Sequence, residues 1–235
     1  MIEIIRSESR GGADHGWLKS KHTFSFADYY DPNRMGFAKL RVINEDWIEP
    51  GKGFGTHPHK DMEIVTYMVD GALEHKDSMG NGSVIRAGEL QRMTAGTGVT
   101  HSEFNHSQKD VAHLLQIWIL PEHKGLEPGY EQKLFPAEEK LDQWRLIGSR
   151  DGRDGSLTIN QDINLSSTIV EASKTISYRF DTARAGFIQI VSGEVELDGV
   201  LLYPGDGVAI SKSADLTLLA KQKAEILLFD MAAAA

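Results

Sequence analysis

The chain has 235 residues, with 25 lysines and arginines against 34 aspartates and glutamates, a net charge of −9 at neutral pH. That length supports one large domain or two small ones, and 40% hydrophobic with 25% charged residues is the make-up of an ordinary globular protein. The acidic excess disfavours direct nucleic-acid binding, the lack of cysteine removes disulfides and thiolate metal sites, and no apolar run approaches the ~20 residues of a membrane span.

The opening residues carry no basic leader and no long apolar stretch, so a cytoplasmic protein is expected. Short apolar runs broken by glycine turns follow. Met62 to Val69 reads as a strand ending at the hairpin signal Asp70-Gly71. Turn clusters fall at Ser78 to Ser83 and Thr94 to Gly98, and Leu114 to Leu120 reads as a buried strand. Glu122 to Asp154 is polar and holds Pro121's successors Pro128 and Pro136, so it reads as the connection between two β units, with one short helix around Pro136 to Trp144. Strands recur at Phe187 to Val191, Glu194 to Leu197, Val200 to Tyr203 and Ile226 to Phe229. The closing Ala232 to Ala235 reads as a frayed tail without function. Many short strands at this spacing predict an all-β sandwich or barrel. "MVDGALEH" around Gly71 and "IVSGEVEL" around Gly193, each followed by a glycine corner at Gly88 or Gly205, suggest that the two halves are related.

Four side chains stand out. Residues two apart on a strand share a face, so His57 and His59 aim two imidazoles into one space, with Pro58 turned away. His101 and Glu103 repeat that geometry. A lone histidine is more often a surface or hydrogen-bonded core residue. Two pairs at strand period, each beside a glycine-rich turn, point instead to a metal site of three nitrogens and a carboxylate. His75, His106 and His113 pair with no second ligand type and are read as supporting or structural residues. His15, His22 and the aromatics of "FSFADYY" are read as packing the lip of the first barrel, some of them lining a flat pocket.

Gly51, His57-Pro-His59, Glu63 and Gly71 resemble the first cupin motif, with the last glycine one residue late; Gly98, His101 and Asn105 resemble the end of the second, without its proline. A narrower resemblance, to pirin-like proteins, rests on "HGWLKSKHTFSFADYYDPNRMGFAKLRVINED", "GFGTHPHKDMEIVTYMVDG", "AGTGVTHSE" and "LLQIWILP". It implies a bicupin: two β-barrels packed face to face, a metal-binding unit over residues 1–134 and a unit without metal over 135–235. It implies His57, His59, His101 and Glu103 as metal ligands, with Glu63 a salt-bridged or supporting carboxylate. Aligning Gly193 with Gly71 and Gly205 with Gly88 puts Arg179, Asp181, Leu218 and Ala220 at the ligand positions of the second half, and no histidine follows His123. One divalent ion per chain is therefore expected.

Three imidazoles and one carboxylate suit Fe(II), Mn, Co, Ni, Cu or Zn, and the resemblance puts iron first. It implies a quercetin 2,3-dioxygenase, which opens a flavonol with O₂ and releases carbon monoxide, with Glu103 as ligand and general base. The partners expected are a small flavonol-like aromatic and O₂, in a monomer. The alternative is a metal- or redox-sensing regulator that contacts another protein.

Overall fold

The computed structural model describes residues 2–211 and 215–233. The first unit is a seven-stranded sheet facing a four-stranded one. The large sheet runs Gly129–Leu134, Glu89–Thr94, Glu63–Asp70, Ala112–Ile119, Leu40–Ile48, Leu18–His22, Gly11–Asp14. The small sheet runs Gly53–His59, Val99–Asn105, Ala72–Asp77, Gly82–Arg86. The second unit repeats the plan. Its large sheet is Ile2–Ile5, Gly207–Ile210, Arg184–Ser192, Ala224–Ala232, Ile163–Val170, Arg145–Ser149, Leu157–Thr158. Its small sheet is Thr175–Arg179, Asp215–Ala220, Val195–Leu197, Val200–Leu202. The chain is thus a nearly all-β pair of cupin barrels.

Strand period decides what each large sheet buries. Along Ala112–Ile119, Leu115, Ile117 and Ile119 join a core shared with the other unit, while Gln116 and Trp118 line a cavity in the first barrel. Val65 and Tyr67 lie on the same outward face as Leu115, and Leu165, Phe187, Leu227, Phe229 and Met231 meet them from the second unit. The barrels are joined by a hydrophobic core. A buried polar knot sits beside it: Lys140 Nζ donates to Glu225 at 2.8 Å and to the Tyr67 hydroxyl at 3.0 Å, and that hydroxyl also bonds Glu225.

The hairpin expected at Gly71 does not form: Glu63–Asp70 lies in the large sheet and Ala72–Asp77 in the small one, so Gly71, and likewise Gly193, turns the chain from one sheet to the other, with φ values of 77° and 74° that favour glycine. A Cβ at Gly193 would stand 2.1 Å from the Lys223 carbonyl oxygen.

Other readings change as well. The stretch read as a connection supplies Gly129–Leu134 to one large sheet and Arg145–Ser149 to the other. Gly129–Leu134 is an edge strand with no buried residue, so its composition resembles a loop. The helix shrinks to Ala137–Lys140. Ile2–Ile5, at the start of the first unit in sequence, pairs with Gly207–Ile210 of the second, where Ile5 enters the shared core. Of the closing alanines, Ala232 ends a strand, whereas Ala234 and Ala235 lie outside the described residues. None of the described helices is long and apolar enough to cross a membrane.

Candidate metal centre

Gly53–His59 pairs with Val99–Asn105 so that His57 faces His101, with a register shift before Glu103. Val99, His101, Glu103 and Asn105 point inward, and their alternate neighbours Thr100 and Phe104 point out. The strands touch closely at the shift: a Cβ on Gly53 would lie 2.1 Å from the Glu103 carbonyl oxygen, so only glycine fits there. Ala72–Asp77 flanks the other side and sets His75 against Glu103 and Asp77 against His101.

The side chains form two groups that share His101. Ligand atoms of His57, His59 and His101 lie within 4.8 Å of one another, as do those of His75, His101 and Glu103. The four sequence-expected ligands therefore share one barrel face, but Glu103 approaches His101 from the side of His75. Among the described residues, both groups belong to the first unit. In the second unit the matching small sheet buries Ile176, Leu216, Leu218 and Ala220 in an aliphatic core.

Hydrogen bonds fix the protons. His57 Nδ1 is 2.8 Å from the Gly55 carbonyl, to which it donates, leaving Nε2 bare. His75 Nε2 donates to Asp77 at 3.0 Å, leaving its Nδ1 bare. His101 sits between these two, its Nε2 3.0 Å from His57 Nε2 and its Nδ1 3.4 Å from His75 Nδ1. A neutral His101 has one proton, so wherever it rests, one pair of lone pairs faces another at close range. Only a further cation relieves that. A second proton is disfavoured: burial, then the neighbouring imidazoles, push His101 down to about 3, and burial pushes His59 down to about 4. A divalent ion against the bare Nε2 atoms suits the arrangement, with His101 Nδ1 then donating to His75. Tyr130 packs its ring 4.8 Å from that of His75 and holds it in place.

Sequence reading set His75 among the supporting or structural residues but saw no partner of a second ligand type; the missed signal was Asp77, two residues on and on the same face. Replacing His75 by phenylalanine keeps a ring but removes the acceptor behind His101. Metal affinity is expected to fall ~10–100-fold, read by competition with a coloured chelator.

Glu103 is buried, and both its oxygens accept from Gln116 Nε2, at 3.1 and 3.3 Å. Burial, reinforced by the nearby charge of Asp46, pushes its carboxyl up to about 7. His57, His59, Glu103 and Gln116 open on a cavity of about 690 Å³, within the size range of small-molecule sites. Trp17, Phe26, Tyr29, Phe54 and Trp118 make its walls largely aromatic. The Trp118 indole N–H is buried without a hydrogen-bond partner among the described residues.

The "FSFADYY" segment divides: Phe26 and Tyr29 line the cavity, Phe24 enters the shared core, and Tyr30 is exposed. Glu63 is not the salt-bridged or supporting carboxylate expected. It lies on the cavity's far side of its strand and accepts from Thr94 Oγ1 and from the Asn160 backbone and side chain at 3.1–3.2 Å, tying the two units together. Desolvation raises its carboxyl above the usual range.

Two small barrels with a histidine-rich face in one of them define a bicupin of metal-binding type. The sequence profile of the Pirin family matches residues 4–119, and that of the quercetinase C-terminal cupin domain matches residues 146–231. Quercetin 2,3-dioxygenase of Escherichia coli K12 is 49% identical over 231 residues, covering 98% of this chain and 99% of that protein. A pirin-like protein of Caulobacter vibrioides is 41% identical, covering 99% and 100%. The crystal structure of bacterial pirin YhhW from Escherichia coli in complex with nickel(II) superposes with a TM-score of 0.95 at 47% identity, covering 100% of both chains. The chain belongs to the pirin family.

Proposed function

We propose that the protein is a metal-dependent dioxygenase that cleaves flavonols such as quercetin with O₂ and releases carbon monoxide. The observation that carries this reading is a cluster of imidazoles and a buried carboxyl beside an aromatic-walled cavity. The quercetin 2,3-dioxygenase at 49% identity supports it.

His57, His59, His101 and Glu103 hold one divalent ion in this reading, Fe(II) in the native protein. The nickel(II) complex of the bacterial pirin supports a divalent-metal site here, and imidazole with carboxylate suits several such ions. When bound, the ion acidifies a hydroxyl brought against it and supplies the redox capacity for dioxygen chemistry. The protein's own groups do the rest. The cavity walls take a planar ring system edge-on, exclude water and fix its approach. Glu103 receives the flavonol 3-hydroxyl proton on an oxygen that is free of the ion. Gln116 keeps both Glu103 oxygens aimed at the cavity. We draw the boundary between the units after residue 134, with Ile2–Ile5 crossing it.

The test is anaerobic loading with Fe(II), Mn, Co, Ni, Cu or Zn, then quercetin in air. Quercetin loss with matching O₂ uptake and carbon monoxide release, absent from metal-stripped protein, is the expected result. No turnover with any metal would leave the regulatory alternative in its place.

A further inference from the structure

The cavity has a second polar pole. Leu18–His22 pairs with Leu40–Ile48 so that Ser20 faces Asp46 and His22 faces Asn44. All four are buried, and all four line the cavity that the histidine cluster opens on. An aromatic wall separates them from the cluster. The His59 ring lies 5.1 Å from Trp118, Trp118 lies 5.4 Å from Phe26, and Phe26 lies 5.3 Å from His22.

The hydrogen bonds within the pole leave its outer atoms open. His22 Nδ1 is 2.8 Å from Asn44 Oδ1, which can only accept, so the imidazole carries its proton there and Nε2 is a bare acceptor. Asn44 Nδ2 keeps its two donor hydrogens. Ser20 donates to Asp46 Oδ1, leaving Asp46 Oδ2 as an acceptor. No side chain or backbone group among the described residues bonds these three outer atoms, and they are not sealed in the core but open to the cavity. Two acceptors and a donor on adjacent strands match phenolic hydroxyls, each of which gives one hydrogen bond and takes another.

We infer that Ser20, His22, Asn44 and Asp46 form a specificity subsite that reads hydroxyl groups on the part of a planar aromatic substrate remote from the metal-binding end. The inference rests on the flavonol reading and narrows it: the substrates are polyhydroxylated flavonols rather than any molecule bearing the chelating hydroxy-ketone. A bare ring placed there would cover three polar atoms without pairing them, a penalty that discriminates more strongly than lost apolar contact.

The test uses metal-loaded protein under anaerobic conditions, titrated with quercetin and with 3-hydroxyflavone, which keeps the chelating pair and lacks the other hydroxyls. Quenching of tryptophan emission reports binding, since Trp17 and Trp118 line the cavity. Wild type is expected to prefer quercetin by about tenfold or more, the scale of one or two buried hydrogen bonds. His22→Phe keeps a ring against Phe26 and Tyr29, and Asn44→Ala is the smaller change; each is expected to bring that preference to within about threefold. Metal content and melting temperature establish that both variants are folded and loaded. Equal affinity in wild type, or a preference retained in both variants, overturns the subsite. A preference lost in the variants of a protein that shows no turnover upholds the subsite and removes only the dioxygenase reading.

Discussion

Glu103→Gln is expected to lower flavonol turnover by ~10²–10⁴-fold while most of the metal stays bound, the usual cost of losing a well-placed base. Glutamine keeps the size and one ligating oxygen, and Gln116 still has an acceptor to bond. What disappears is the carboxylate that takes the substrate proton. Glu63→Gln is the control, because Glu63 faces the seam between the units and bonds Thr94 and Asn160. Its replacement is expected to shift the melting temperature and leave kcat near wild type. The measurement is quercetin loss by metal-loaded protein at matched metal content. Full activity in Glu103→Gln would reject Glu103 as the base.

His101→Ala is expected to abolish tight metal binding, a loss exceeding the ~100-fold assigned to an outer partner of a ligand. His101 belongs to both groups of potential ligands, so no remaining set is complete. The circular-dichroism spectrum is expected to stay that of a folded β protein, because the core between the barrels lies on the other face of the large sheet. Global unfolding would make the cluster a structural element.

The wild-type affinity carries a pH signature with a definite sign. Imidazoles held at about 3 and 4 are already neutral at pH 6, whereas a carboxyl at about 7 must lose its proton to bind metal. Affinity should therefore fall about tenfold per unit as pH drops below 7, and Glu103→Gln should flatten that dependence between pH 6 and 8. Chelator competition across that range checks both curves.

The histidine pairs were legible because strand period is a local signal. His57-Pro-His59 and His101-Ser-Glu103 each declare a shared face within three residues. The relation between the halves was legible for the same reason, since Gly71 and Gly193 each mark a local turn, although that turn passes from the large sheet to the small one instead of closing a hairpin. What stayed hidden depends on pairings distant in sequence. Ser20 with Asp46 and His22 with Asn44 become one wall only when their strands pair. Glu63 sits beside the first histidine motif in sequence, yet its side chain emerges on the opposite face of the sheet, where Asn160 meets it. Gly129–Leu134 hid differently: an edge strand needs no apolar face, so its polar composition looked like a connection.

The crossing of Ile2–Ile5 into the far sheet has a consequence for how the chain is made. Ile2–Ile5 finds its strand partner only at Gly207–Ile210, about two hundred residues later in synthesis. Until then an isoleucine-rich segment has no ladder to join, and the sheet it completes cannot close. Arg6 and the Ser7 backbone N–H fasten onto the Asp206 carboxylate, each at 2.7 Å, so this pairing is held at both strands. Gene truncation at the boundary between the barrels therefore separates Ile2–Ile5 from its sheet. The front piece keeps a strand without a sheet, and the rear piece presents the open edge of Gly207–Ile210 to any other extended chain, which is the geometry of self-association.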